Sequence, residues 1–143
     1  MHMSFGKYRD KEVAWVLLKD PGYFKWMQQK GMQNKSEYKF MLEILKRLNS
    51  KSYSKVRCYG TCNGSNTPTR LSLYKGMFNI ECWFCDECDP YSQGATPGTL
   101  NTISKYDEFI RHSQSELLIK VFCNAKGVPN RRTKNALKQY FGY

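Results

Sequence analysis

The sequence predicts an α+β fold: a small helical N-terminal module, a central antiparallel ribbon rich in cysteine, and short C-terminal helices. Three observations carry that expectation. Apolar residues recur at helical spacing on both sides of the middle of the chain. Five cysteines fall within residues 58–88, as Cys58-x3-Cys62 and Cys82-x2-Cys85-x2-Cys88. Between the two groups, Arg70 to Tyr74 and Phe78 to Phe84 read as strands joined by a Lys75-Gly76 turn. With 143 residues, 41% of them hydrophobic and 15% aromatic, the chain can fill one ordinary core or two small ones, which excludes global disorder. No apolar run approaches the length of a membrane span, and nothing resembles a cleaved secretory signal. The expectation is an intracellular, reducing compartment (cytoplasm, nucleus or viral factory) and no membrane partner.

Taken in order, Met1-His2 reads as a cloning remnant, with Met3-Ser4 as the native start, so residues 1–3 are set apart. Residues 4–50 form the helical module. Phe5 to Lys11 is a tight turn rich in cations and aromatics, and Glu12 to Leu18 a short helical stretch. Asp20-Pro21-Gly22-Tyr23 opens the next helix, with Asp20 as N-cap and Pro21 at the first helical position. Tyr23, Trp26 and Met27 follow at i, i+3, i+4, and Gly31 ends it. Ser36 to Asn49 is an amphipathic helix with Tyr38, Met41, Leu42, Leu45 and Leu48 as its apolar stripe.

Phe5-Gly6-Lys7-Tyr8, then Lys11, and Asp20-Pro21-Gly22-Tyr23 with Trp26 keep both the order and the spacing of a known motif. They resemble the FGKY…DPxYxxW module at the C-terminus of exodeoxyribonuclease X-like proteins, which also occurs alone in phage and other viral proteins. The resemblance covers only about residues 4–30. Where the family's turn often has glycine after the basic residue, this chain has Asp10. The acidic metal-binding residues of the exonuclease domain have no counterpart here. The resemblance therefore implies an accessory role with nucleic-acid contact, not cleavage.

The ribbon is expected over residues 55–92. Two close cysteine pairs separated by a hairpin point four sulfurs at one tetrahedral Zn²⁺. If Cys82 and Cys85 were the second pair, Trp83 and Phe84 would occupy the exposed tip of the turn. If Cys85 and Cys88 are the pair, the tip is Asp86-Glu87 and the aromatic run becomes a strand, which makes the better turn. The predicted ligands are Cys58, Cys62, Cys85 and Cys88, with Cys82 as the alternative to one of the downstream pair. Alternation places Cys82 and Phe84 on one face of the strand and Trp83 and Cys85 on the other. Gly60 and Gly64 ease the first turn. Four thiolates leave no open position, so the zinc is expected to be structural.

Asp89 to Thr99 reads as a long loop. Residues 100–143 are expected to be a C-terminal helical segment. Its parts are a helix opening at Ser104 with Asp107 as its capping partner, and a second from Glu116 to Ala125 behind a Ser113-x-x-Glu116 box. Leu117, Leu118, Val121 and Phe122 would be the apolar side of the second, and Cys123 a buried small hydrophobe. Residues 130–141 close the chain as a short basic helix.

The formal net charge is +11, spread as +4 over residues 1–35, +3 over 36–55, −1 over 56–100 and +5 over 101–143. Basic flanks around a neutral cysteine region suggest a polyanion, DNA or RNA. Lys7, Arg9, Lys11, Arg131, Arg132, Lys134 and Lys138 are the expected phosphate contacts. His112 is the only histidine outside the remnant and no Gly-rich phosphate loop occurs, so no catalytic constellation assembles. The reading is a zinc-stabilised, non-enzymatic, viral nucleic-acid-binding accessory protein. The alternative is a protein-interaction subunit of a transcription, replication or virion assembly that docks through the ribbon.

Overall fold

The computed structural model describes residues 1–74, 82–89, 100–111 and 116–143. The Lys75-Gly76 turn, the first part of the Phe78 to Phe84 strand, the loop after Asp89, His112 and the Ser113 cap lie outside the described residues. The chain is α+β. Its helices are α1 (Val13–Lys19), α2 (Pro21–Gln29), α3 (Ser36–Ser50), α4 (Asp107–Arg111), α5 (Glu116–Ala125) and α6 (Lys134–Phe141). Its strands are β1 (Arg70–Tyr74), β2 (Cys82–Phe84) and β3 (Leu100–Ile103). They divide into two units: Met1–Lys51 with Tyr106–Asn124 and Val128–Tyr143, and Ser52–Lys105 with Ala125–Gly127.

In the helical unit, α1 stops where Asp20 precedes a proline and leaves the helical region, at φ −142°. The Asp20 carboxylate then caps α2 by accepting the Tyr23 N–H at 3.2 Å. Gly31, at φ +70°, ends α2: its own N–H reaches the Gln28 carbonyl and that of Met32 the Met27 carbonyl. In α3 the buried side is Tyr38, Met41, Ile44, Leu45 and Leu48, while Leu42 is exposed. At 100° per residue Leu42 lies about 100° from the centre of that stripe and Ile44 only about 60°. Glu37 is also buried, its oxygens accepting Ser4 Oγ at 2.5 Å and Ser36 Oγ at 2.8 Å. Burial alone would raise its pKa, but those hydrogen bonds outweigh it and hold the carboxyl below its ordinary value.

The core of this unit is completed from the far end of the chain. Tyr106 is fully buried among Phe109 and Phe122, with ring centroids 5.4 and 5.9 Å away. Its hydroxyl donates to the Leu17 carbonyl at 2.6 Å, satisfying one of the acceptors that the end of α1 leaves open. Leu137 and Phe141 of α6 are buried as well.

Three expectations for this half need correcting. The segment 100–143 opens with a strand, and α4 starts at Asp107 instead of Ser104. Its start is held from α3: the Asn49 side chain accepts the Tyr106 N–H at 3.0 Å and donates to the Asp107 carboxylate at 2.7 Å. In α5 the buried residues include Ile119, Phe122 and Cys123, whereas Leu117 is 58% exposed on the opposite side of the helix. Finally, α6 begins only at Lys134, because Thr133 takes the cap and accepts the Ala136 N–H at 3.2 Å. Arg131 and Arg132 precede it.

In the second unit β1 is the central strand, antiparallel to both neighbours, in the order β2-β1-β3. Leu71 pairs with Trp83 on one side and Ile103 on the other, so these three buried side chains share a face. Tyr53 packs on Trp83, ring centroids 5.2 Å apart, and donates its hydroxyl to the Ser104 carbonyl. The opposite face carries Arg70, which pairs with Phe84, and Ser72, which pairs with Cys82 and Thr102.

Candidate metal centre and cationic groove

Cys58, Cys62, Cys85 and Cys88 come together with all four sulfurs within 4.8 Å of one another. In a tetrahedral thiolate site with bonds of about 2.3 Å the sulfurs stand about 3.8 Å apart, so the cluster has the dimensions to hold a metal ion. Cys82 lies outside that group, buried beside it with Phe84. The expected alternation stops at the end of β2: Phe84 is its last residue, and Cys85 lies beyond it, just before the turn at 86–88. Cys85 therefore clusters with Cys82 and Phe84, not with Trp83.

Backbone and side-chain N–H groups converge on these sulfurs. Cys58 Sγ accepts from the N–H of Gly60 at 3.4 Å and of Cys85 at 3.3 Å. Cys85 Sγ accepts from the Cys88 N–H at 3.4 Å and from the Asn66 side chain at 3.5 Å. The Asn66 N–H draws the Cys62 thiol down to about 6. Burial opposes ionisation of Cys85, yet the Asn66 and Cys88 hydrogen bonds outweigh it and lower that thiol too. Burial pushes Cys58 up to about 11 and raises Cys82, whose only influence is burial. Donors aimed at sulfur favour thiolate, the form a metal binds.

Packing fits the same purpose. A Cβ on Gly60 would lie 2.3 Å from Cys88 Cβ, so only glycine lets the two turns approach this closely. Gly64 has φ +79°, as the first turn requires. The Asp86-Glu87 tip is held in place: Arg70 pairs with Asp86 and, at 2.5 Å, with Asp89, while Thr69 Oγ1 donates to Asp86 at 2.8 Å. Asn66 and Arg70 were not singled out by sequence reading. Their partners lie 16 to 21 residues away, and only the closed turn reveals them.

A second feature occupies the helical unit. Three clefts of about 240, 410 and 460 Å³ adjoin one another through shared walls. Lys19, Glu116 and Ile119 line both the first and the second; Asp20 and Gly22 line both the second and the third. Along them lie Arg132, Lys120, Lys19, Lys25 and Lys7, against the carboxylates Asp20 and Glu116. Among the described residues, five cations against two acids leave the groove positive. Of the expected contacts, Lys7 and Arg132 line these clefts. Arg9, Lys11, Arg131, Lys134 and Lys138 are exposed but line none of the three. Lys19, Lys25 and Lys120 were missed because they sit on three different helices and meet only in the folded unit.

The Phe5 to Lys11 turn is closed by Met3, whose N–H donates to the Lys11 carbonyl and whose carbonyl accepts the Asp10 N–H, both at 2.8 Å. Asp10 takes the left-handed conformation at φ +67°, which aspartate tolerates better than most residues. Lys7 Nζ stands 3.3 Å from Asp20 and 5.0 Å from the centre of the Tyr8 ring. Among the described residues, no helix is long and apolar enough to cross a membrane. No protein-family model matches the chain, and neither a curated protein nor a solved structure shows significant similarity to it.

Proposed function

We propose that this chain is a non-enzymatic nucleic-acid-binding accessory protein whose cysteine unit is stapled by one structural Zn²⁺. The donor set supports zinc: four thiols of suitable spacing, surrounded by N–H groups, with no fifth position offered to water or substrate. The ion would be held by Cys58, Cys62, Cys85 and Cys88, and would supply folding energy to a small unit instead of chemistry. The nucleic-acid reading is carried by one observation, the grouping of five cations along three adjoining clefts of the helical unit. The resemblance of residues 4–30 to the exodeoxyribonuclease X-associated module agrees with it, since Lys7 and Trp26 of that motif line the third cleft.

Two measurements test the proposal. Elemental analysis of freshly purified protein should find one zinc per chain; iron, or no metal, overturns that part. Binding to DNA and RNA oligonucleotides should weaken linearly on a log–log plot against salt, with a slope of roughly 0.7 to 0.9 per phosphate neutralised. Changing Lys19, Lys25 and Lys120 together to glutamine should flatten that slope more than changing Arg131, Lys134 and Lys138. Absence of binding at low salt would favour the protein-interaction alternative.

A further inference from the structure

We infer that the Lys7–Trp26 end of the groove is a base-stacking subsite, and that the groove takes single-stranded polynucleotide in preference to duplex. The inference rests on the nucleic-acid reading above and narrows it to a class of ligand.

The central residue of this subsite is Trp26. It sits on α2 at the spacing of a core residue, yet its indole is only half-buried and lines the 460 Å³ cleft with Gly6, Lys7, Asp20, Gly22 and Tyr23. One face of the indole is backed by Tyr23, ring centroids 5.1 Å apart and 30° between planes. Tyr23 is itself fixed: Tyr8 meets it edge-on at 5.0 Å, and its hydroxyl lies so close to Gly6 that a Cβ there would be 2.1 Å away. Trp26 therefore rests on a rigid support, which spares a ligand the cost of ordering it.

Such a platform distinguishes nucleic-acid forms. In a duplex each base is already stacked on both faces and offers only its edges to a protein. An aromatic face is of use only to an unpaired base, which can splay out and stack on it. The cleft volume is that of a small organic ligand, suited to a single nucleotide. Phosphates beside that base would face Lys7 and then, through the shared wall at Asp20 and Gly22, Lys25 and Lys19 of the adjoining cleft.

The Asp20 carboxylate is the obvious objection. Its charge is already engaged, by the Tyr8 hydroxyl at 2.8 Å, the Tyr23 N–H at 3.2 Å and Lys7 at 3.3 Å. Lys7 retains a side chain that is 65% exposed.

Fluorescence anisotropy with labelled oligo-dT, oligo-rU and a hairpin duplex of equal length, at several salt concentrations, tests this. Wild type should bind the single strands about tenfold or more tighter than the hairpin; comparing dT with rU tells DNA from RNA. Trp26→Ala should weaken single-strand binding about 5- to 150-fold, the stacking contribution of one base, and leave hairpin binding and the salt slope unchanged. Trp26→Phe should retain most of the affinity. Should Trp26→Ala fail to fold, Trp26→Leu keeps an apolar side chain without a ring and must show the same loss. Lys7→Gln should reduce the single-strand salt slope by about 0.7. Equal affinity for single strands and hairpin, or a wild-type Trp26→Leu, overturns the subsite and leaves electrostatic binding standing. No binding to any of the three probes removes both readings.

Discussion

Replacing Gly60 with alanine adds one methyl group to the cysteine cluster, and its effect can be worked out from the position of Cys88. The new Cβ would lie 2.3 Å from Cys88 Cβ and 2.7 Å from Cys88 Sγ. Ordinary carbon–carbon contact is about 3.5 Å, so about 1 Å must be found between atoms at the root of a short side chain. A thiolate ligand must keep its distance to within about 0.2 Å, several times less than that misfit. Overpacking of this kind costs about 1–3 kcal/mol, which is about 5- to 150-fold in metal affinity. Structural zinc binding amounts to about 10–16 kcal/mol, so the variant should still carry a full equivalent of metal. Stoichiometry would miss the effect, and competition against a graded chromogenic chelator at fixed pH is the assay that sees it. Gly31→Ala is the control. It lies in the other unit at φ +70° with no atom within 4 Å, so it should lower the stability of the helices and leave the competition curve unchanged. A Gly60→Ala curve superimposable on wild type would refute the argument that glycine is there to admit Cys88.

Three other outcomes are expected. Cys82→Ser should keep the proposed zinc while Cys85→Ser loses it or binds far more weakly, as read by metal content after dialysis; the reverse would overturn the ligand set. Ser4→Ala should remove about 1–2 kcal/mol at pH 7, measured by chemical denaturation, because it strips a hydrogen bond from the buried Glu37 carboxylate. Glu37 has a depressed pKa, so its contribution is complete above the unfolded value of 4.5 and fades as pH falls below it. The difference between wild type and Ser4→Ala should shrink on acidification, and an equal difference at low pH and at pH 7 would contradict this. Asn49→Ala should destabilise the helical unit by about 1–3 kcal/mol, since it leaves the Tyr106 N–H without its acceptor; a loss below about 0.5 kcal/mol by denaturation would argue that water replaces it.

What could be read from the chain was local chemistry. Asp20-Pro21 carries both the end of α1 and the cap of α2 in two adjacent residues, and the four cysteines announce themselves by spacing. What could not be read depends on partners distant in sequence. Leu100–Ile103 is a strand because β1 offers it an edge, about thirty residues upstream in the register Leu71 to Ile103. Without that edge the same four residues look like the lead into a helix. The stripes of α3 and α5 were placed one step off at Leu42 and Leu117, because apolar side chains outnumber the places available on the buried side and only packing decides between them. Lys19, Lys25 and Lys120 carry no motif at all; their meaning comes from three helices meeting.

The helical unit is assembled from three separate pieces of chain, with most of the cysteine unit emerging between the first and second and its last piece, Ala125–Gly127, between the second and third. On a ribosome this imposes a waiting time. Once α1, α2 and α3 have appeared, Ser52–Lys105 must be made before Tyr106 can reach the Leu17 carbonyl, a delay of about 3 to 10 s at ordinary elongation rates. For that interval α3 can use only α1 and α2 as cover, and Phe109, Phe122, Leu137 and Phe141 have yet to arrive. The nascent chain is then most open to chaperones and proteases. The order of synthesis thus puts all four clustered cysteines on the nascent chain before the residues that finish the helical unit, which is complete only when the last turn of α6 has been made.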